Sequence, residues 1–345
     1  MRPFQLRSAG PWLGLLWSLL AFGAAAQKTD TIFLFNGDRI IGEMKDLKLG
    51  LLRVKTDYMS TVYVEWDQMQ TLRTDKRCYV RLRSGAYFDG YLLPSPRLDH
   101  IYIRTKEDSI HVQLIDITTL YRLDKGIWPR TDGSLNAGYS YQQSNQLSQL
   151  NLNGNALYRA DHGTVSVGFS SISTVQPDVE DNRKQDATLG WEQNLWGRWT
   201  SGIGVGAESN TELDLGLRMR VNLSLGNYLV LSTHTSYLFG GGAQANRERS
   251  GEGEASDNLE VFLGNRLRFK TYRFPKAEVT IDLAGYYGVT IRDRWRFASN
   301  AFLRYEVMKD LQLGLEFYEQ FDSKPLDGGP ALNDWRVATT VGYIF

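Results

Sequence analysis

The chain has 345 residues, with 39 basic and 39 acidic side chains and a mean hydropathy of −0.35. A neutral chain lacks the basic excess that favours nucleic acid, and after residue 26 no stretch is apolar for the ~18 residues that a membrane helix needs. These totals argue against a nucleic-acid binder and a polytopic helical membrane protein. The single cysteine, Cys78, rules out an intramolecular disulfide framework.

Residues 1–26 have the layout of a secretory signal peptide. Arg2 and Arg7 precede an apolar run over 12–22, and the small residues 24–26 follow it. The charged, apolar, small-residue order predicts cleavage after Ala26. An uncleaved anchor is the alternative, but the apolar run is shorter than a bilayer crossing.

Residues 28 to about 126 contain an internal repeat with an offset of 48 residues. Gly37 and Gly42 of the first copy match Gly85 and Gly90 of the second. Each copy reads as short strands separated by glycine turns, which suits a small SH3-like or Sm-like β-module. We predict two periplasmic modules, 27–78 and 79–130. Their role is docking on a periplasmic protein, or simply that of a folded spacer. His100 and His111 are expected to be strand surface residues rather than metal ligands.

The segment 335–345 alternates like a strand in lipid. Its odd positions are mostly apolar with aromatic residues at both ends, and its even positions are mostly small or polar. A strand of this kind presents one face to lipid and its aromatic ends to the two interfaces. The terminal residues Tyr343 and Phe345 resemble the signal by which bacterial outer-membrane barrels are recognised for assembly.

Eleven similar segments precede the last one within 131–345. We predict twelve strands, beginning near residues 134, 148, 164, 185, 199, 214, 228, 258, 277, 294, 311 and 334. Tight turns are expected at 196–198, 226–227 and 309–310, and long loops at about 172–185, 240–257 and 322–333. The predicted fold is therefore all-β: an antiparallel transmembrane β-barrel of about twelve strands preceded by the two β-modules. A secreted β-sandwich is the soluble alternative.

Closure of this sheet is expected on energetic grounds. An open edge in hydrocarbon leaves backbone N–H and C=O groups unpaired, and each such group costs several kcal/mol. An even strand number with short turns at one end places both chain ends, and the modules, in the periplasm.

Charged residues at mid-strand positions must face the lumen, because each would cost ~2–4 kcal/mol in hydrocarbon. Arg304 and Glu316 lie on consecutive antiparallel strands, so we expect that they can pair. The lumen is either a pore whose basic wall favours anionic or zwitterionic solutes, or a space closed by paired side chains. The predicted lumen-facing residues are Arg218, Arg220, Arg266, Arg268, Arg296, Arg304, Arg336, Glu192, Glu208, Glu260, Asp282, Glu306 and Glu316.

A family resemblance begins at residues 132–140 and continues through Ser144-Asn145 and 150–158. These residues resemble the start of the salt-induced outer-membrane protein family, which is uncharacterised. The resemblance covers about 133–345 and implies an outer-membrane β-barrel. It carries over no catalytic residues.

One catalytic alternative is a lipid hydrolase. His234 and Ser236 lie two residues apart on one strand face, and Asn246 or Glu248 downstream is a candidate to orient the imidazole. The spacing resembles outer-membrane phospholipases and lipid A deacylases, but Tyr237 follows Ser236 where those enzymes usually have asparagine.

The sequence as a whole favours a non-catalytic protein of the bacterial outer membrane. Its expected role is envelope structure or passive passage of small polar or anionic solutes. No phosphate-binding loop, dinucleotide fingerprint or metal-ligand spacing appears, so no cofactor or metal is expected. The expected partners are outer-membrane lipid, the barrel assembly machinery and a periplasmic protein, with no nucleic acid.

Overall fold

The structure is a computed structural model that describes residues 30–177, 181–211, 215–250, 255–324 and 332–343. The predicted signal peptide and Phe345 lie outside the described residues. Among these residues there is no α-helix, and the strands form two separate antiparallel sheets. The all-β prediction is confirmed.

Ten short strands form the N-terminal domain, in the order β4-β3-β2-β10-β6-β7-β8-β9, with β1 pairing to β2 and β5. Corresponding strands of the two copies, such as β1 and β6, begin 48 residues apart. Three short 3-10 helices span Trp66–Gln68, Leu114–Asp116 and Trp128–Arg130. The strands are β1 Asp30–Leu34, β2 Arg39–Lys48, β3 Leu51–Lys55, β4 Thr61–Glu65, β5 Met69–Arg73, β6 Cys78–Leu82, β7 Tyr87–Pro94, β8 His100–Arg104, β9 Ser109–Gln113 and β10 Ile117–Arg122.

The two copies share one hydrophobic core. Strand β10 of the second copy pairs with β2 of the first, with Leu120 opposite Leu47. The indole Nε1 of Trp66 donates a 2.7 Å hydrogen bond to the carbonyl oxygen of Leu114, its counterpart 48 residues later. A single 48-residue copy buries little apolar surface, so joining the copies stabilises both.

Twelve longer strands form the second sheet, each hydrogen-bonded to its sequence neighbours. The predicted strand starts agree with the observed ones within three residues, except for the seventh. The strands are β11 Thr131–Gln142, β12 Leu147–Arg159, β13 Gly163–Val175, β14 Asn182–Asn194, β15 Trp199–Asn210, β16 Leu215–Leu231, β17 Thr235–Ser250, β18 Ala255–Thr271, β19 Ala277–Gly288, β20 Trp295–Met308, β21 Leu311–Asp322 and β22 Leu332–Tyr343.

The predicted turn at 226–227 and loop at 240–257 are wrong. Gly226 and Asn227 lie inside β16, opposite Gly240 and Phe239 of β17. The reversal occurs instead at residues 232–234, where the backbone N–H of Ser232 donates to the carbonyl oxygen of Thr235 and Ser232 Oγ accepts from the N–H of Thr235. The sequence suggests that these glycines are turn residues, but in the structure they allow two strands to approach closely. A Cβ on Gly240 would meet the Cα of Gly226 at 2.7 Å.

The second sheet curls around an interior space. A cavity of about 460 Å³ is lined by residues from β14 to β21, so strands far apart in the sheet border one volume. No backbone ladder joins β11 to β22 within the described part of the chain, so the closure expected from the sequence is not observed. Most residues of these two edge strands are exposed on both faces, and the barrel is open along this seam.

Candidate functional site

One face of the twelve-stranded sheet points outward and is apolar. On β16 the exposed side chains are Leu217, Met219, Val221, Leu223 and Leu225, each 42–57% exposed. On β18 Leu259, Val261 and Leu263 repeat the pattern. Soluble proteins rarely expose an apolar surface that continues across so many neighbouring strands.

The opposite face is polar and lies inside the curled sheet. At the end remote from the N-terminal domain, which we call the far end, Glu260 is completely buried. Its carboxylate accepts hydrogen bonds from Arg296 at 2.7 Å, Asn246 at 2.9 Å and Asn258 at 3.0 Å. A buried carboxylate needs this many donors, because burial removes its hydration. These side chains fill the interior of the far end on this side.

Two further arginines join neighbouring strands at the same level. Arg218 Nε donates to Glu248 at 2.8 Å, and Arg220 donates to Glu208 at 3.2 Å and to Asp186 at 3.3 Å. The ion pairs therefore connect β14, β15, β16 and β17 across the inner face. Each of these charged side chains has a partner of opposite sign among the described residues.

At the other end of the interior, which we call the capped end, basic residues follow one strand. Arg266 and Arg268 of β18 both donate to Asp282, at 2.9 and 2.8 Å. Lys270 pairs with Glu278 at 3.1 Å, and Arg304 lies 3.7 Å from the same carboxylate. At these contacts two carboxylates thus serve four cations.

The 460 Å³ cavity, which we call the chamber, lies between these two levels. Phe262 and Tyr286 line it toward the far end, with ring centroids 5.6 Å apart. Arg266, Asp282 and Glu192 line it toward the capped end. The chamber volume falls within the usual range of ligand pockets.

The N-terminal domain covers the capped end, and a cluster of four charges fixes it there. Asp46 of β2 accepts from Arg53 Nε at 2.8 Å and from Arg159 Nη2 at 2.5 Å. Asp132 of β11 bonds to Arg53 and lies 2.6 Å from Arg159 Nη1. We call these four residues the latch. Each carboxylate bridges two guanidiniums, so the domain and the sheet share one ion network.

A second set of contacts lies around the β14–β15 turn. Arg81 of the N-terminal domain donates to Asn194 at 2.6 Å and lies 5.0 Å from the ring centroid of Tyr228. Asn194 also donates to the hydroxyl of Tyr79 at 3.0 Å. Tyr79 is 1% exposed, and burial raises its pKa to about 12. Arg198 of the turn donates back to the carbonyl oxygen of Arg83 at 3.0 Å.

The next two turns of the sheet also touch the domain. Thr233 donates to the carbonyl oxygen of Ile115 at 3.0 Å, and Tyr272 donates to that of Leu49 at 2.9 Å. Between the latch and Lys270 a cavity of about 490 Å³ remains at the mouth of the interior. The domain therefore acts as a cap that fills the mouth incompletely.

The residues proposed for a hydrolase do not meet. His234 lies in the turn before β17, with its Nε2 3.5 Å from Asp67 of the N-terminal domain. Ser236 is the second residue of β17, and Glu248 lies twelve residues further along the same strand. At 3.3 Å per residue they are about 40 Å apart. Asn246 bonds to Glu260 at the far end.

The structure also places the remaining residues predicted to face the interior or to signal assembly. Arg304 lies opposite Gly314, and Glu316 lies opposite Phe302. The ion pair observed for Arg304 is with Glu278 and not with Glu316. Arg336 is exposed on β22 opposite Tyr318. Tyr343 ends β22 and is 64% exposed. Glu306 is 2% exposed and accepts from the backbone N–H of Lys276 at 3.1 Å.

The two surface histidines are closer than their sequence positions suggest. The rings of His100 and His111 stack with centroids 4.8 Å apart, and His111 also meets Tyr102. No group of three or more potential metal ligands occurs in the described ranges. Nor does any helix within these ranges have the length and apolarity to cross a membrane.

The cap contacts are the functional feature that the sequence did not predict. Asp46 stands in a strand next to Leu47, and Arg159 is the last residue of its strand. A charge within or at the end of a strand is the only sequence signal for these residues, and it does not identify the partner.

Comparison with known proteins gives a family and a structural neighbour. Residues 135–345 match the family described as "Protein of unknown function, DUF481". No curated protein matches the chain. Among solved structures, the NanC porin in its rhombohedral crystal form aligns at 11% identity with a TM-score of 0.34, over 61% of this chain and all of that one.

Proposed function

The chain belongs to the DUF481 family of proteins of unknown function, and we propose that it is a non-catalytic outer-membrane β-barrel that passes small polar or anionic solutes. One observation carries this proposal: the sheet exposes aliphatic side chains outward while charged pairs and a cavity lie on its inner face. A soluble protein places apolar side chains inside and charged side chains outside, whereas a barrel in lipid requires the opposite arrangement. The resemblance of residues 132–158 to the salt-induced outer-membrane proteins supports the same location.

The interior is obstructed at both ends. The buried side chains around Glu260 occupy one side of the far end, and the N-terminal domain lies over the capped end and leaves only the 490 Å³ cavity there. Solute passage therefore requires the cap to shift, with the latch as the contact that must break. The signal peptide, the periplasmic location of the cap and a periplasmic partner for it remain predictions from the sequence.

Conductance in planar bilayers tests this function. We expect the full chain to give rare, brief openings, and the Asp46→Ala variant to open at least tenfold more often, because it removes the carboxylate shared by Arg53 and Arg159. The matched control is Asp75→Ala, which removes a 3.6 Å pair with Arg73 between half-exposed side chains. Absence of conductance from both the wild type and Asp46→Ala would contradict a passage role.

The hydrolase remains the competing class, and it has its own test. Phospholipid vesicles incubated with the purified chain should release no more fatty acid with wild type than with Ser236→Ala. Release that disappears in Ser236→Ala would overturn the non-catalytic proposal.

A further inference from the structure

The chamber owes its space to a row of small residues that face each other across five strands. Gly226 lies opposite Gly240, Gly240 opposite Gly264, Gly264 opposite Ala284, and Ala284 opposite Ala298. All five residues line the chamber. On the next level toward the far end Ser224 and Gly242 are also small, but the large side chains of Phe262 and Tyr286 follow them across the sheet. The row of small residues leaves room for another molecule.

The chamber wall combines both signs of charge with an apolar surface. Arg266 uses Nε for its bond to Asp282, and its terminal nitrogens have no other acceptor within hydrogen-bonding distance among the described residues. Glu192 lines the same cavity, where it interacts with the hydroxyl of Tyr228 and electrostatically with Arg266. The apolar part consists of Leu238, the rings of Phe262 and Tyr286, and the small-residue row.

We propose that the chamber binds a small zwitterion with an apolar body, of which an aliphatic α-amino acid is the simplest example. The guanidinium of Arg266 binds the carboxylate, Glu192 binds the ammonium group, and the rings of Phe262 and Tyr286 contact the side chain. A monoanion contacts only Arg266 and a monocation contacts only Glu192, whereas a zwitterion makes both contacts. The two-point contact therefore favours the zwitterion.

The position of the chamber deepens the proposed function, on which this inference rests. Arg268 and Lys270 continue from Arg266 along the same face of β18 to the 490 Å³ cavity at the mouth. At 3.3 Å per residue, Arg266 and Lys270 are about 13 Å apart. A carboxylate thus has basic side chains to follow between the two cavities.

Equilibrium binding to the purified full-length protein in detergent tests the proposal. The probes are leucine, isovalerate (the anion alone), 3-methylbutylamine (the cation alone) and glucose. We expect leucine to bind saturably, and each of the other three at least about tenfold more weakly. Equal binding of isovalerate or the amine, preferential binding of glucose, or no binding of leucine would overturn it.

Three variants locate the site. Ala284→Leu should abolish leucine binding by filling the chamber, whereas Ala243→Leu, at an exposed position on β17, should bind as wild type. Arg266→Gln should weaken leucine binding about tenfold or more and leave the weak binding of the amine unchanged. Wild-type affinity in both Ala284→Leu and Arg266→Gln would show that the chamber is not the site.

The binding experiment and the conductance experiment fail separately. Leucine binding in detergent requires no ion flow, so a silent bilayer recording leaves it measurable. Conductance without leucine binding would support the proposed passage function and refute the zwitterion site.

Discussion

Arg159 and Asp46 are 113 residues apart in sequence, yet Arg159 Nη2 donates a 2.5 Å hydrogen bond to Asp46 Oδ2 and both side chains are only 8% exposed. One residue ends a strand of the large sheet and the other lies in the N-terminal domain. This pair joins the N-terminal domain directly to the large sheet.

Removing Asp46 should loosen the cap. Asp46→Ala leaves Arg53 and Arg159 with Asp132 alone, at a cost of about 3 kcal/mol, the low end for a buried pair because Arg53 is partly exposed. Hydrogen exchange should then accelerate about a hundredfold in the turns at 160–163 and 195–198. Asp75→Ala should leave these turns protected, and unchanged exchange in Asp46→Ala would mean that the latch does not fix the cap.

The N-terminal domain should unfold as one unit, because its two copies share a core. Trp66→Ala removes a fully buried indole and its bond to Leu114, which should lower the free energy of unfolding by about 3–5 kcal/mol. Alkylation of Cys78 reports this unfolding, since Cys78 is the only cysteine and is 0% exposed. Burial also raises the pKa of its thiol, which makes the native form unreactive.

Labelling of Cys78 should therefore be slow in the wild type and much faster in Trp66→Ala. Trp128→Ala provides the control, because Trp128 is 86% exposed. If only residues of the first copy became labile in Trp66→Ala and Cys78 stayed protected, the copies would be independent domains.

The N-terminal domain should lose stability in strong base. The pKa of Tyr79 rises from 10.0 to about 12 on burial, so the folded state holds the phenol proton more tightly than the unfolded state. The resulting stabilisation is present below pH 10 and is lost as the pH rises toward 12. Cys78 labelling, corrected for the intrinsic thiolate fraction, should accelerate over this window. Tyr79→Phe should shift the onset of that acceleration, and an identical profile in Tyr79→Phe would contradict the assignment.

A charge on the outer face should impair insertion. Leu263→Arg places a guanidinium at an exposed apolar position in the middle of β18, which costs about 2–4 kcal/mol in a bilayer. Asn153→Arg is the matched control, because Asn153 lies at mid-strand and bonds Asn136 on the inner face. The fraction folded in vesicles, read from gel mobility with and without heating, should fall only in Leu263→Arg.

The strands could be predicted from the sequence because one face of each strand meets lipid and the other meets the interior. Apolar and polar residues therefore alternate along every strand. The seventh strand was misplaced because Gly226-Asn227 looks like a turn, while the actual turn at residues 232–234 has no glycine. The cap was missed for a different reason. Its contacts, such as Arg81 with Asn194, depend on how two finished surfaces meet, and no local pattern encodes that.

The chamber, too, could be predicted only in part from the sequence. Arg266 and Asp282 were predicted to face the interior, and on that face they form an ion pair. The alignment of Gly226, Gly240 and Gly264 into one row depends on strand register, which alternation alone does not determine.

The central claim is that alternate residues of each long strand meet lipid and the interior, and paired single-cysteine labels test it directly. In a Cys78→Ser background, a fluorophore at Leu223 and another at Asn222 occupy neighbouring positions on β16 with opposite faces. In vesicles of brominated lipid we predict strong quenching of the label at position 223 and little at position 222. Equal quenching at both positions would contradict the account.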